Sequence, residues 1–366
     1  MASQKDIEEQ DIQETGIRGK NTPKRRVVSQ KKTKKRSKKR RRLKILFFFE
    51  LLVVVILLGI VGLITKVDSI ENHELKNVVI NDFHDENIDD YTNIAIFGVD
   101  SRANDLRKNT RSDAIIVASI HKKTKKVKLM SIYRDTYVHI EEHGYTKINH
   151  AYAYGGPDLA VNTINENFDL NIQDFVTVNF SALTNVIDDL GGITLNITEE
   201  ELEYVNAYTR DVAKINGMKY KYIKSAGKQK VSGVQATGYC RVRYTAGGDY
   251  TRAQRQRTVI KAILKKAKKS NPKVLYDVMN SLLPQIYTSL STSDIISLML
   301  PVFSYSINDS KGFPYELEGR KIDGVFVNIP KTLSSNVTKM HKKLFGTKDY
   351  KPSDTVSGYS AEIEAR

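Results

Sequence analysis

The chain has 366 residues, of which 40% are hydrophobic, and it carries a formal net charge of +16. It is longer than a single small domain requires and has room for a full core. Its one cysteine, Cys240, excludes an internal disulfide framework and a cysteine-based zinc site. The positive charge is uneven, because residues 1–44 hold 17 Lys and Arg against 5 Asp and Glu.

The N-terminal part combines a basic tail with a long apolar run. Residues 1–44 are predicted to be mostly disordered. Residues 45–66 contain about 20 apolar positions, the length that a helix needs to cross the ~30 Å hydrocarbon core of a bilayer. The basic block Lys31–Lys44 predicts that the N-terminus stays in the cytoplasm and that the chain beyond the run is extracellular. The run ends without the small residues of a cleavage site, which favours an uncleaved, single-pass anchor in the cell membrane over a signal peptide.

The basic block has a second interpretation, an arm that binds nucleic acid. Lys and Arg directly beside a membrane span are explained more simply by topology and by contact with anionic lipid. We therefore expect membrane lipid, rather than DNA or RNA, to be the partner of this block.

Composition divides the outer part of the chain into further segments. Residues 67–90 are acid-rich and are predicted to form a stalk, and residues 91–305 form the main domain. Residues 306–346 are predicted to add a strand and a helix, and residues 347–366 to form a flexible polar tail. Within the main domain, strands and helices alternate, which predicts an α/β fold of three layers, α/β/α, around a mixed central sheet. The polar stretch 199–230 suggests an irregular flap over a site.

Two apolar runs with a cationic loop between them are the most informative stretch. Asn93–Val99 and Ala114–Ile120 have the pattern of buried strands, with Asp100 after the first and Asp113 at the start of the second. The loop between them carries Arg102, Arg107 and Arg111. Carboxylates beside guanidinium groups suit a divalent cation together with phosphate oxygens. A cluster of strand-end salt bridges is the alternative, and this stretch alone does not decide between them.

A third apolar run, Val127–Ile132, predicts a strand antiparallel to the second. It ends at Arg134 and Asp135, and sites in α/β folds collect where strands end at one rim of a sheet. We therefore expect this pair to join the residues of the preceding loop.

A helix is predicted from about Tyr250 to Lys269, after the turn Gly247-Gly248. Arg252, Arg255 and Gln256 fall on one face of its first turns. Arginine at a helix N-terminus opposes the helix dipole, so a cluster there favours an anionic ligand over a merely solvated helix.

Eight motifs, taken in chain order, resemble the LytR-CpsA-Psr family of membrane-anchored enzymes of Gram-positive envelopes. The resemblance covers roughly Tyr91–Ser304, and one departure is visible, since the family usually has Pro where this chain has Tyr133. The motifs are GVDSR at Gly98–Arg102, RSD at Arg111–Asp113, SIYRDTYV at Ser131–Val138, KIN at Lys147–Asn149, AYAYGG at Ala151–Gly156, DDLGGI at Asp188–Ile193, YCRVRY at Tyr239–Tyr244 and DYTRAQRQ at Asp249–Gln256.

The resemblance implies a glycopolymer linked to polyprenyl pyrophosphate as the substrate, with the lipid tail in an apolar tunnel between sheet and helices. The enzyme would pass the phosphoglycosyl polymer to a hydroxyl of peptidoglycan and release polyprenyl phosphate. The resemblance assigns Mg²⁺ (or Mn²⁺) to Asp100 and Asp113. It assigns catalytic roles to Arg111, Asp113, Arg134 and Asp135, and pyrophosphate binding to Arg102, Lys147, Arg241, Arg243, Arg252 and Gln256.

The chemistry agrees with these residues, because positioned cations supply most of the catalysis of phosphoryl transfer without a covalent intermediate. Three other functions remain open. They are a hydrolase that releases polyprenyl phosphate or pyrophosphate, a membrane-bound regulator whose basic tail binds nucleic acid, and a non-catalytic binder of anionic wall polymer. The general base is Asp113 or Asp135, and the sequence does not specify whether teichoic acid, capsule or another polysaccharide is transferred.

Overall fold

A computed structural model describes residues 71–100, 106–107 and 110–366, all of which belong to one compact unit, Val61–Arg366. The predicted basic tail and membrane span, residues 1–44 and 45–66, lie outside the described residues. Among the residues that are described, no helix combines the length and the hydropathy needed to cross a membrane.

Strands and helices alternate along the described chain, as the sequence predicts. The strands are β1 (Glu71–Asn72), β2 (Tyr91–Val99), β3 (Ser112–His121), β4 (Lys126–Ile132), β5 (Tyr137–Ile140), β6 (Gly144–Lys147), β7 (Asp174–Asn179), β8 (Ile193–Ile197), β9 (Gly227–Val231), β10 (Ile286–Thr288), β11 (Ser306–Phe313), β12 (Leu317–Ile322) and β13 (Val325–Pro330). The α-helices are α1 (Asn149–Phe168), α2 (Phe180–Asp189), α3 (Glu199–Asn216), α4 (Gly233–Arg241), α5 (Gly248–Ala267), α6 (Pro272–Leu282), α7 (Thr292–Met299), α8 (Leu333–Leu344) and α9 (Asp354–Glu364).

Seven strands form one mixed central sheet, in the order β1-β10-β7-β2-β3-β4-β11. β2, β3 and β4 are antiparallel neighbours, whereas β7 is parallel to β2 and β11 is parallel to β4. The predicted mixed sheet and its antiparallel third strand are therefore confirmed. The predicted domain end at residue 305 is not, because β11 completes the sheet. As an edge strand, β11 is too polar to be recognised by an apolar run.

The strand directions define two ends of this sheet. At one end, which we call the site rim, β2, β4 and β7 finish and β3 begins. At the opposite end, the basal rim, β3 turns into β4 and β11 begins. α5 leads from the site rim to the basal rim, because Lys268 Nζ, just after α5, donates to the carbonyl of Tyr305 over 2.9 Å, next to the start of β11.

One face of the central sheet, the first face, is sealed by α1, α8 and α9. Ala95, Phe97 and Val99 alternate along β2 toward this face, and each is fully buried. Phe168 of α1 and Val337 of α8, also fully buried, belong to the same apolar cluster. The first face is the main hydrophobic core.

The second face carries the intervening residues and is covered by α5, α6 and α7. Ile116 of β3 is buried there, but Ile96 and Val178 remain half-buried beneath the helices. α6 contributes Met279 and Leu282 to this layer, although none of its residues is buried. The predicted layers on both sides of the sheet are thus present, and several apolar residues of the second one remain partly exposed.

The predicted stalk at 67–90 differs from the structure, because its described part packs along α1. His73 Nε2 lies 2.6 Å from Asp158 Oδ2, and the main-chain N–H of Val79 donates to Asn162 Oδ1 over 3.0 Å. The polar groups of this segment are paired with polar residues of a helix that lies far along the chain. Because these partners are distant in the chain, the composition of the segment by itself resembles that of a solvated spacer.

The prediction of a flexible tail at 347–366 is wrong, because α9 forms there with Val356 and Ile363 buried. Just before α9, the hydroxyl of Tyr350 donates to Asp169 Oδ2 over 2.7 Å. Asp169 is fully buried, so these polar contacts satisfy its carboxylate. A buried polar contact of this kind leaves no trace in the hydrophobic pattern of the tail.

The predicted flap at 199–230 is also wrong over its first half, where α3 forms. Thr198 and Glu201 make a reciprocal capping box at its N-terminus. Val205 and Val212 belong to its apolar stripe and are buried. The second half of the segment contributes β9, which pairs with β8. The many charged residues of α3 hid this stripe.

Candidate active site

A bulge at the site rim sets Asp113 apart from its strand. The pairing of β2 with β3 shifts by one residue between Gly98 and Val99, which leaves Asp113 without a partner in the ladder. Such a bulge re-aims the extra side chain and is common beside active sites. Asp100, the first residue after β2, lines the same cavity as Asp113.

Three arginines from three different elements surround the carboxylate of Asp113. Arg134 Nη1 donates to Oδ1 over 2.6 Å and Arg243 Nη2 to Oδ2 over 3.4 Å. Arg252 Nη2 lies 4.0 Å from Oδ1 and also donates to the main-chain carbonyl of Asp113. Burial alone would raise the pKa of Asp113, but Arg252, Arg134 and Arg243 outweigh burial and hold the pKa below its usual value.

A second carboxylate, that of Asp249, faces the same three arginines. Its oxygens lie 3.2 Å from Arg252 Nη1, 3.6 Å from Arg134 Nε and 3.8 Å from Arg243 Nε. Asp249 is in the first turn of α5, where a negative charge is favourable to the helix dipole. Sequence reasoning quoted Asp249 within a motif but did not assign it to the site, because its partners come from distant parts of the chain.

Arg241 occupies the side of the site nearest Asp100. Its Nη2 donates to Asp100 Oδ2 over 3.2 Å. Its guanidinium carbon lies 5.0 Å from the centre of the Phe180 ring and 6.0 Å from that of Tyr208. The two rings restrain the guanidinium through cation–π contact. Neither ring was predicted from the sequence, because neither is polar enough to mark an anion site.

Asp135 and Lys147 form a pair on the other side of Arg134. Lys147 Nζ lies 3.0 Å from Asp135 Oδ1, and Arg134 Nε lies 3.7 Å from Asp135 Oδ2. Asp135 is 7% exposed, so the pair is largely shielded from water. The hairpin of β5 and β6 brings Lys147 back to Asp135, which only the tertiary fold could reveal.

Most of these residues enclose a cavity of about 220 Å³. Two buried guanidinium nitrogens, Arg134 Nε and Arg252 Nη1, make no well-aligned hydrogen bond among the described residues, although each lies 3.2–3.7 Å from a carboxylate oxygen. Three arginines against two aspartates line the cavity, so its net charge favours an anion. The cavity is lined by Asp100, Asp113, Phe180, Tyr208, Cys240, Arg241, Arg243, Arg252 and Gln256.

Burial also acts on the charge of Arg252, which is 4% exposed. Loss of hydration lowers the pKa of Arg252 to about 10, against the opposing effect of Asp113. Arg252 therefore remains a cation at neutral pH and is poorly solvated, a state in which an anionic ligand gains most from contact with it.

Arg255 has a supporting position rather than a place in the cavity wall. Its Nε donates to Glu201 Oε1 over 2.7 Å, and its Nη1 and Nη2 donate to the Val242 carbonyl (3.1 Å) and to Thr245 Oγ1 (2.6 Å). These bonds tie α5 to α3 and to the loop that carries Arg243. Arg255 and Arg252 thus lie on the same stretch of α5, but Arg252 lines the cavity and Arg255 holds neighbouring elements together.

Of the two remaining predicted residues, only Arg111 is described by the structure, and it stands apart from the group. Arg102 lies outside the described residues. Arg111 is exposed and makes no ion pair with the described residues of the cavity. The charge of Arg111 acts on His150, because burial and then the positive charges of Arg111 and Lys147 lower the pKa of His150.

Asp100 and Asp113 fit a divalent cation of a particular kind. Among the described residues, no three His, Cys, Asp or Glu side chains are grouped to hold a metal by themselves. Mg²⁺ is commonly bound through one or two carboxylates that are completed by water and substrate phosphates. The two aspartates on one cavity match that donor set, rather than a metal site enclosed by protein.

The cavity borders the apolar layer of the second face. Gln256 lines the cavity, and Ile260, one turn further along α5, packs with Ile96 and Ile116 on the sheet. A ligand with a charged head and an apolar tail could therefore place its head in the cavity and its tail in the apolar layer, both along α5.

Comparison with known proteins places the chain. The model of the LytR_cpsA_psr family matches residues 58–344. Over 236 residues, the chain is 31% identical to the polyisoprenyl-teichoic acid–peptidoglycan teichoic acid transferase TagT of Bacillus subtilis, covering 63% of this chain and 70% of TagT. Over 248 residues, it is 33% identical to the transferase TagU of Oceanobacillus iheyensis, covering 66% of this chain and 71% of TagU.

The fold leads to the same group of proteins. The solved structure of the LytR-CPS2A-psr family protein YwtF (TagT) with bound octaprenyl pyrophosphate lipid matches with a TM-score of 0.54 and 26% identity, covering 75% of this chain and 96% of that one. The resemblance found in the eight motifs is confirmed, and this chain belongs to the LytR-CpsA-Psr family.

Proposed function

We propose that this chain is a phosphotransferase that moves an anionic glycopolymer from a polyprenyl-pyrophosphate carrier to a hydroxyl of peptidoglycan. One observation carries the proposal: Arg241, Arg243 and Arg252 line a single cavity beside an apolar layer, and Arg134 contacts Asp113, which lines the same cavity. These three arginines outnumber the aspartates of the cavity wall, Asp100 and Asp113. A diphosphate provides several acceptor oxygens and between two and three negative charges.

The arginines supply the main chemistry. The acceptor hydroxyl attacks the phosphorus that bears the sugar, its proton leaves, and the bond from that phosphorus to the polyprenyl phosphate oxygen breaks. Negative charge grows on the transferred and leaving oxygens, where preorganised guanidinium groups stabilise it. Arg134 and Arg252 are held in place by Asp113 and Asp249 before the substrate arrives.

Asp100 and Asp113 would hold Mg²⁺, which when bound neutralises phosphate charge. Asp135 is the alternative to Asp113 as the group that accepts the proton of the incoming hydroxyl. Its contact with Lys147 keeps a positive charge beside it.

The lipid part of the proposal has two supports. The second face offers an apolar layer that lies beside the cavity along α5 and whose residues are in part only half-buried. A relative of the same fold, YwtF (TagT), has been solved with octaprenyl pyrophosphate bound. The predicted anchor at 45–66 would keep the enzyme where such carriers reside, because a long isoprenoid tail leaves the bilayer only at great cost.

The test is a transfer reaction with the full chain in detergent, Mg²⁺, a labelled lipid-linked glycopolymer and peptidoglycan oligomers. We expect a product whose mass equals acceptor plus phosphoglycosyl polymer. Arg134→Ala should remove this product, and Arg320→Ala, a matched change on exposed β12, should not. Release of free polymer with no adduct would identify a hydrolase, and full activity of Arg134→Ala would overturn the assignment of the site.

A further inference from the structure

A group of aromatic rings lies at the site rim, on the side of the first face. Tyr154, near the start of α1, is 47% exposed. The centre of its ring lies 4.2 Å from that of His143, in the turn between β5 and β6, and the two ring planes are inclined by 33°. His150 adds a third ring, whose centre is 5.7 Å from that of Tyr154. We call these three side chains the aromatic platform.

The backbone of α1 places Tyr154 at the surface. The helix is kinked at Gly156, which has φ 65° and ψ −152° and is followed by Pro157. The short stretch before the kink is held by Tyr152, which is fully buried and donates from its hydroxyl to the Leu106 carbonyl over 2.5 Å. Side chains two residues apart point to nearly opposite sides of a helix, so Tyr154 faces away from the core.

The turn between β5 and β6 holds the second ring. Glu142 has φ 60° and Gly144 has φ 65°, and the main-chain N–H of His143 donates to the Ile140 carbonyl over 3.0 Å. A left-handed conformation is uncommon for a glutamate and persists where the surrounding structure fixes it. The backbone on both sides of His143 is therefore fixed beside Tyr154 before any ligand binds.

The platform adjoins the part of the candidate active site that contains Asp135. Lys147 Nζ lies 3.0 Å from Asp135 Oδ1, and Lys147 is the last residue of β6, immediately before α1. His150, one turn further along, lies with its Nδ1 3.0 Å from Thr146 Oγ1. Burial lowers the pKa of His150, and the positive charges of Arg111 and Lys147 lower it further. The exposed Arg111 is thus a neighbour of the platform rather than of the cavity.

The direction of the proposed reaction distinguishes this side of the site from the other. In phosphoryl transfer, the attacking and leaving oxygens lie roughly in line on opposite sides of the phosphorus. The proposed leaving group, polyprenyl phosphate, has its tail in the apolar layer of the second face, which borders the cavity along α5. The attacking hydroxyl would then approach from the side of the first face. This is the side on which α1 begins and on which the platform lies.

A sugar ring has the chemistry that suits the platform. One face of a pyranose carries C–H groups, which pack against an aromatic ring, while its hydroxyl groups form hydrogen bonds around the edge. A tyrosine offers a large apolar contact area together with a polar hydroxyl. Arg111, which makes no ion pair among the described residues, supplies further donors at the edge.

We propose that the aromatic platform binds a sugar ring of the peptidoglycan acceptor, with Tyr154 stacked against that ring beside the hydroxyl that attacks. The inference rests on the proposed function for its reaction and adds where the acceptor binds. It also gives a role to Tyr154 of the AYAYGG motif, which the cavity leaves unexplained. The first sugar of the donor polymer has the same chemistry, so the test must separate the two sources.

The kinetic test uses the full chain in detergent with Mg²⁺, the lipid-linked glycopolymer and peptidoglycan oligomers. Tyr154→Ala should raise the KM for the oligomers about tenfold. It should leave kcat and the KM for the lipid-linked glycopolymer unchanged, because the ring binds the acceptor alike before and during transfer. Tyr154→Phe retains the ring and should keep the low KM. Tyr222→Ala removes a tyrosine of similar exposure, 52%, from another aromatic pair and should change neither KM.

A second measurement detects binding without turnover, because the chain contains no tryptophan. Tyr154→Trp introduces a single indole on the platform, and its fluorescence should change in a saturable manner when peptidoglycan oligomers are added. The same addition to Tyr222→Trp should leave the fluorescence unchanged.

A rise in the KM for the lipid-linked glycopolymer, instead of that for the oligomers, would assign the platform to the donor polymer and overturn the proposal. So would unchanged KM values in Tyr154→Ala together with no fluorescence response in Tyr154→Trp. Failure of the proposed function is separate, because it shows as absence of transfer by the unmodified chain. In that event the fluorescence of Tyr154→Trp alone decides whether the platform binds peptidoglycan.

Discussion

The two faces of the central sheet are built from alternate residues of the same strands, yet they are covered to different degrees. On the first face, Phe97 and Val99 of β2 are fully buried beneath α1, α8 and α9. On the second, Ile96 is half-buried, and α6 has no buried residue although it presents Met279 and Leu282 to the layer. The first face is the more completely buried of the two, and the proposed function assigns the second to the apolar part of the substrate.

The two faces also differ in the residues that lie at their ends. The second face leads at one end to a cavity of arginines and aspartates, and at the other to a rim of lysines. The first face is closed by polar contacts that serve only the fold, such as the pair between Asp85 and His341.

The largest effect that we expect is a difference in the free energy of unfolding between variants on the two faces. Ile115→Ala on the first face, where the side chain is 2% exposed, should cost about 2–5 kcal/mol in the free energy of unfolding. Ile96→Ala deletes the same atoms from the second face, where they are only partly buried, and should cost less than about 2 kcal/mol. Urea denaturation of the two variants gives both values. Equal losses would mean that the second face is packed as tightly as the first.

The next effect concerns what fills the second face. Polyprenyl pyrophosphate at a hundred times its Kd should stabilise the protein by about 2.7 kcal/mol, because it binds only the folded state. Inorganic pyrophosphate at the same concentration should stabilise it less, since it lacks the apolar tail. Ile260→Ser on α5, where the side chain packs against the sheet, should reduce the benefit of the tail and leave the response to inorganic pyrophosphate unchanged. Thermal unfolding with each ligand measures these shifts, and equal shifts from the two ligands would exclude an apolar subsite.

The sequence predicted those parts of this arrangement that depend on local patterns. β2, β3 and β4 are apolar and rich in β-branched residues, so their existence and their shared rim followed directly. The convergence of Arg134, Arg241 and Arg252 was expected only from the family resemblance, because their separations along the chain carry no distance information. Asp249 was missed for this reason, since its role is visible only beside its three arginines.

The remaining errors share a physical cause. The predicted stalk at 67–90, α3 and α9 were all predicted to be irregular from their polar composition. The described part of each is held in place by paired polar groups. Asp169 binds Tyr350 and Glu201 binds Arg255, both far away in the chain. Hydrophobic periodicity records burial of apolar side chains and does not record a polar side chain that is buried against a distant partner.

The smallest expected effect tests whether the first face is structural only, through its dependence on pH. Asp85 is buried behind this face, where its carboxylate lies 2.6 Å from His341 Nδ1 and accepts a hydrogen bond from Thr347 Oγ1 over 2.6 Å. Burial would raise the pKa of Asp85, but the hydrogen bonds from His341 and Thr347 outweigh burial and hold the pKa below its ordinary value of 3.8. A folded-state pKa below that of the unfolded chain means that the contribution to stability is fully present above pH 3.8. It is lost as the pH falls through the lower, folded-state pKa.

Asp85→Asn removes this titration, so the free energy of unfolding of the variant should fall less steeply than that of the unmodified chain as the pH drops below about 4. Asp323→Asn, the same change in an exposed turn of the β12–β13 hairpin, should retain the steep fall. Denaturation curves between neutral and acidic pH give the slopes. At neutral pH, phosphotransfer by Asp85→Asn should match that of the unmodified chain wherever both are folded, because Asp85 lies behind the first face and away from the arginines. A loss of transfer without a loss of stability would show that the two faces are coupled, and the division of labour between them would have to be abandoned.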